Sequence, residues 1–251
     1  MKTNSPKTQC FPAILVFAAL ALAFTGAAHA ATIIYEDDFN RNGTLNGSTP
    51  VPVDTGGALW KDNGVFHTTS TALGGSVTST AGSATLPFTP TSGFVYTLEA
   101  DVIVNTASTN WASIGFSSSI DNSPSPTAGG APTMLVRGAA FGGNWVQPFS
   151  SGLTTFGPSP GPAANAAGTS NTLTLVLDTT GAAWTVSAFI NGTADGSFTY
   201  GTNPTIAAVG INWGTDATFT RVELSSVPEP ATWGLLAGAG TVLVTLRRRK
   251  A

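Results

Sequence analysis

The sequence predicts an all-β protein: a two-sheet antiparallel sandwich of jelly-roll type, flanked by an N-terminal signal peptide and a C-terminal transmembrane helix. Three observations carry this. Of 251 residues only 9% are charged, while 29 are Gly and 16 Pro, a composition that suits short strands and turns and disfavours long salt-bridged helices. Two segments alternate apolar and polar residues with the strand period of two. No segment between the termini repeats apolar residues at helical spacing.

Lys2 and Lys7 precede an apolar stretch from Phe11 to Ala28, which closes in Ala28-His29-Ala30. A basic lead, an apolar core and small residues at alternate positions make a secretory signal peptide cut after Ala30, a client of the Sec export machinery. Cys10, the one cysteine, leaves with it, so the remaining chain has no thiol and no disulfide. The domains follow as a signal peptide over 1–30, a sandwich over 31–226 and a C-terminal segment over 227–251. From Glu36 to Glu229 the chain holds all thirteen acids but only four cations, Arg41, Lys61, Arg137 and Arg221. So few cations cannot neutralise a row of phosphates, which excludes nucleic acid as a partner.

The sandwich opens with Asp38-Phe39-Asn40-Arg41 as an entry strand. Asp38-x-Asn40-x-Asn42-Gly43 also matches the start of a calcium loop, where oxygens at alternate positions surround the ion. Position 49, where an EF-hand needs a bidentate Glu, is Thr49, so the candidate is a calcium site of another kind using Asp37, Asp38 and Asn40. Otherwise no cofactor is expected. Short strand signals follow at Gly64 to Thr69 and Ser83 to Phe88. His67 lies in the first and is the one histidine after the leader, so a catalytic triad would rest on it alone.

Phe94 to Asn105 gives the clearest strand: Tyr96, Leu98, Ala100, Val102 and Val104 share one face, and Thr97, Glu99, Asp101 and Asn105 the other. Trp111 to Ser117 and Met134 to Arg137 are further strands, separated by a Pro/Gly/Ser-rich loop from Asp121 to Ala131. Trp145 sits between Gly142-Gly143-Asn144 and Gln147-Pro148, a loop-like setting in which an exposed ring could stack on a sugar; it is the candidate glycan contact. After a second loop from Phe156 to Gly168 come Leu173 to Asp178 and a hairpin. In the hairpin Trp184, Val186, Ala188 and Ile190 alternate with Thr185, Ser187 and Phe189, Asn191-Gly192 turns, and Phe198 and Tyr200 return. Ile206 to Asn212 and Thr218 to Leu224 complete the set.

The C-terminal segment reads Val227-Pro228-Glu229-Pro230, an apolar or small stretch from Ala231 to Leu246, then Arg247, Arg248, Arg249 and Lys250. The stretch is shorter than the ~20 residues of a comfortable membrane span, and reaches across with Trp233 at one interface and snorkelling arginines at the other. The basic cluster places this end in the cytoplasm and the sandwich outside.

Those three features in fixed order resemble the PEP-CTERM sorting signal of Gram-negative bacteria. The resemblance implies recognition by an exosortase, cleavage near Val227, Pro228, Glu229 and Pro230, and a host that makes exopolysaccharide. The order of strand segments, carried by Asp38 to Arg41, Tyr96 to Val102, and Leu177-Asp178 through Trp184 to Gly192, resembles the concanavalin A-like lectin and glucanase sandwiches, including laminin-G-like modules. That likeness invites comparison of Glu99-x-Asp101 with the E-x-D-x-x-E acid pair of laminarinase-like hydrolases. The third carboxylate falls on Val104, and nothing in the sequence supplies the second carboxyl that glycoside hydrolysis needs. The expectation is therefore an exported, non-catalytic protein, transiently anchored in the inner membrane and then at the cell surface or in the extracellular matrix. Its partners are an exosortase-type enzyme and, in that matrix, exopolysaccharide. A glycan-binding lectin-like module is the first alternative and a glycoside hydrolase the second.

Overall fold

A computed structural model describes residues 30–63, 66–71, 74–78, 82–104, 111–121, 123–125, 131–137, 146–158, 168–214 and 217–229. Every regular element among them is a strand. In chain order these are β1 Thr32–Asp37, β2 Gly43–Thr44, β3 Pro52–Asp54, β4 Lys61–Asp62, β5 His67–Thr71, β6 Gly74–Thr78, β7 Gly82–Pro87, β8 Phe94–Val104 and β9 Trp111–Ser117. The set continues with β10 Thr133–Arg137, β11 Val146–Ser151, β12 Thr154–Thr155, β13 Ser170–Asp178, β14 Thr185–Ile190, β15 Thr193–Thr199, β16 Ala208–Trp213 and β17 Ala217–Pro228.

They form two antiparallel sheets. One runs β15-β14-β13-β8-β17-β6-β5-β2, with β1 on β17 and β3 on β1; the other runs β12-β11-β10-β9-β16-β7-β4. The alternation in β8 meets its purpose here: Tyr96, Leu98, Ala100, Val102 and Val104 are buried against Leu173, Leu175 and Leu177 of β13 and Val222 and Leu224 of β17. From the other sheet Ala112, Ile114 and Phe116 of β9, Met134 and Val136 of β10 and Val209 and Ile211 of β16 complete one core. Two inner faces of side chains pressed together are what a sandwich requires.

The sandwich is borne out, and so is the hairpin. Asn191 and Gly192 have φ of 49° and 75°, the pair of left-handed residues that a type I′ turn demands, between Ile190 and its partner Thr193. The entry strand is corrected. Asp38, Phe39, Asn40 and Arg41 follow β1 as a turn, because Asp37 and Asp38 each draw in the amide two residues on, Phe39 N at 2.8 Å and Asn40 N at 2.9 Å. Such side-chain to backbone bonds compete with sheet pairing. Phe39 takes φ of 53° there, held by full burial of its ring beside Trp60, centroids 6.1 Å apart.

β17 is the centre of its sheet. One edge pairs with β8 along its whole length; the other is shared, with β6 opposite Thr218 and Phe219 and β1 opposite Val222 to Ser226. A register shift between Phe219 and Arg221 turns Phe219 into the core and sends Arg221 outward. The strand continues to Pro228, beyond the expected domain edge at 226.

Candidate functional site

The two outer faces differ. On the larger sheet, β8 and β17 lay Glu99, Asp101, Arg221 and Glu223 side by side, and β1 adds Glu36. Arg221 binds Glu99 at 2.8 Å, approaches Glu36 at 3.6 Å and also pairs with Glu223. Burial alone would lower the guanidinium's pKa, yet the Glu99 hydrogen bond and the charges of Glu223, Glu99 and Asp101 outweigh it and raise the value. Thr174 donates to Glu99 at 3.4 Å and Thr172 to Asp101 at 2.5 Å. Glu99 thus meets the Arg221 guanidinium on one oxygen and the Thr174 hydroxyl on the other.

On the smaller sheet the outer face is paved with Ser83, Thr85, Ser113, Thr133 and Asn212, all buried. The segment after β9 covers part of it. Thr85 donates its hydroxyl to Ile120 O at 2.6 Å, Ser113 donates to Pro124 O at 2.9 Å, and Lys61 pairs with Asp121. Sequence reading placed this stretch as a loop and missed that it lies back over the sheet. The short hydroxylated side chains at alternate positions of β7 and β9 were the available signal.

The calcium candidates Asp37, Asp38 and Asn40 all take part in hydrogen bonds. The Asp37 carboxylate, 1% exposed, accepts from Phe39 N, from Trp60 Nε1 at 2.6 Å, and from both ends of the Arg41 guanidinium at 2.7 and 2.8 Å. The Arg41 guanidinium thus engages both oxygens of Asp37. Asp38 caps the Asn40 amide and Asn40 accepts from the Ser70 hydroxyl at 2.6 Å. No cluster of three or more His, Cys, Asp or Glu fit to hold a metal occurs among the described residues. His67 is exposed in β5.

At the end of the sandwich where β1 begins and β17 ends lies an open cleft of about 690 Å³. Tyr35, Phe88, Phe94 and Tyr96 supply aromatic walls, and Thr89, Thr91 and Ser226 supply hydroxyls. Tyr35 donates to Pro87 O at 2.6 Å, and burial, with the Asp54 charge, pushes its phenol pKa up. Phe94 stacks on Tyr96, centroids 5.9 Å apart. The candidate cleavage region adjoins the cleft. Val227 and Pro228 are half-buried opposite Val95 and Phe94, and the exposed Glu229 donates its amide to Gly93 O at 2.8 Å. Thr32 pairs with Ser226, so the chain enters and leaves the sandwich at one end.

One buried group escaped the sequence. Asp195 is fully buried in β15 and neither carboxylate oxygen has a hydrogen-bond partner among the described residues. Burial pushes its pKa up to about 7. Counting back by twos from Phe198 gives 196 and 194 as its face-mates, so alternation alone puts Asp195 on the solvent side; a bulge opposite Ala188 and Phe189 adds a residue and buries it. Ala28, Trp145, Pro230, Arg247, Arg248, Arg249 and Lys250 lie outside the described residues.

Residues 226–250 match the family model of the PEP-CTERM protein-sorting motif. No curated protein sequence matches the chain. Among solved structures the carbohydrate recognition domain of Emp47p superposes with a TM-score of 0.51 at 10% identity, over 81% of this chain and 98% of that one. A Bacillus subtilis protein of unknown function with a galectin-like fold gives 0.49 at 9% identity, over 80% and 97%. The endo-1,3-beta-glucanase of Streptomyces sioyaensis gives 0.46 at 13% identity, over 81% and 98%. The Emp47p likeness concerns the fold alone, a two-sheet β-sandwich.

Proposed function

We propose that this chain is the precursor of an exported exosortase substrate whose sandwich acts without catalysis at the surface or in the extracellular matrix of a Gram-negative bacterium. The observation that carries the reading is the sorting-motif match at 226–250, which begins where the sandwich ends. The leader up to Ala30 supports export, and the apolar stretch with Arg247, Arg248, Arg249 and Lys250 supports a transient inner-membrane stage before release. The carboxylates of the outer face support a non-catalytic role, since Arg221 ties Glu99 and Glu223 together. The test replaces Pro228, Glu229 and Pro230 by alanines in a host that has exosortase. The expected result is uncut chain retained in the inner membrane; release to the surface at the normal level would refute the reading.

Glycan binding is a second reading, favoured by the aromatic cleft, whose volume falls within the ~300–1,000 Å³ usual for small-molecule sites. Titration of the released domain with the host's matrix polysaccharide, with Phe94→Ala as the control, decides it. Binding that weakens in the variant supports the cleft, and no binding to either protein removes the reading.

A further inference from the structure

The sorting motif and the fold overlap, and the overlap has a chemical consequence. The matched region starts at Ser226, yet the sheet does not end there. On the β8 side the ladder continues through Ser226 opposite Tyr96, Val227 opposite Val95 and Pro228 opposite Phe94, and the Glu229 amide closes on Gly93 O at 2.8 Å. On the β1 side pairing stops at Ser226. Val227 and Pro228 are therefore held along one edge and half-buried, whereas Glu229 is exposed. A peptide bond is cut when its backbone can leave its own partners and enter the enzyme, so burial and hydrogen bonding of that backbone decide access.

Resting on the sorting reading above, we propose that the sandwich itself selects the processed bond: by keeping Val227, Pro228 and the Glu229 amide on β8, it confines cleavage to the C-terminal side of Glu229. The first bond beyond the last described rung is Glu229–Pro230. Cleavage there transfers the Glu229 acyl carbon to a nucleophile, water or an amine, and the nucleophile's proton goes to the departing Pro230 nitrogen. The enzyme then acts on a folded domain and leaves β17 whole. Removal of even Val227 would strip rungs from the strand that joins β8 to β1.

Two precursors test this in a host with exosortase: the native chain, and one with a flexible Gly/Ser insert of six residues between Ser226 and Val227. The insert lifts Val227, Pro228 and Glu229 off β8 while leaving Ala217 to Ser226 paired. Mass spectrometry reads the new C-terminus, pulse-chase reads the rate of precursor loss, and circular dichroism of the released domain checks that the insert leaves the sandwich folded. The expected native end is Glu229 or later. The insert variant should gain ends at Val227 or Pro228, or lose precursor about tenfold faster, because cleavage of a protected site follows the population of its open form. A native end at Val227 or Pro228 overturns the inference, as does an unchanged end with an unchanged rate in the variant. An intact Arg247-to-Ala251 end in both chains overturns the sorting reading itself and this inference with it.

Discussion

A carboxylate without a partner is costly wherever water cannot reach it, and the buried Asp195 has none among the described residues. Its folded pKa of about 7 stands above the ~3.9 of an unfolded Asp. Between those values the native state keeps a proton that the unfolded chain has lost, so stability falls as pH rises from about 4 to about 7 and is level beyond. Asp195→Asn removes that dependence. Thermal melts should show the variant more stable by about 4 °C at pH 8 and unchanged near pH 4; equal melting at both pH values would mean that the carboxylate finds a partner in solution. Asp37 is the contrasting case, an equally buried carboxylate with four donors around it.

At the scale of elements the edge strand β15 is secured from outside its sheet. Gly157 and Gly196 have φ of 94° and 137°, and a Cβ on Gly157 would stand 1.9 Å from Asp195 O. Only hydrogen side chains permit this approach of the segment after β12 to the bulge. Gly157→Ala should therefore destabilise the domain by about 2 kcal/mol or more in urea unfolding, through both the contact and the left-handed backbone; a loss under ~0.5 kcal/mol would show that the segment moves away freely. The same bulges mark where the sequence stops being readable. β8 and the β14–β15 hairpin were legible because alternation and the Asn-Gly pair report local geometry directly. β1 and β6 were not read as strands, the first because apolar and acidic residues fall out of step, the second because it is nearly all Gly, Ser and Thr. Arg221 as the hub of Glu36, Glu99 and Glu223 was not legible either, since those partners meet only after β1, β8 and β17 become neighbours. The cleft is built from five separate stretches of chain, and no local spacing encodes it.

As a whole the sandwich is held by apolar burial between two sheets and by polar ties such as Arg41 to Asp37, with neither a thiol after Cys10 nor a metal cluster among the described residues. Its melting temperature should accordingly be the same with and without a reductant and a calcium chelator; a drop of several degrees with either reagent would reveal a covalent link or an ion that the side chains do not suggest. The position of β17 also sets a timetable. In a chain delivered to its destination N-terminus first, β8 emerges more than a hundred residues before the strand that must lie beside it, and β1 earlier still. Pairing across such separations is slow and cannot begin until its partner arrives. The middle of the larger sheet stays vacant throughout the journey, which keeps the chain threadable while it is still moving, and the domain closes only when the residues just ahead of Glu229 have come through.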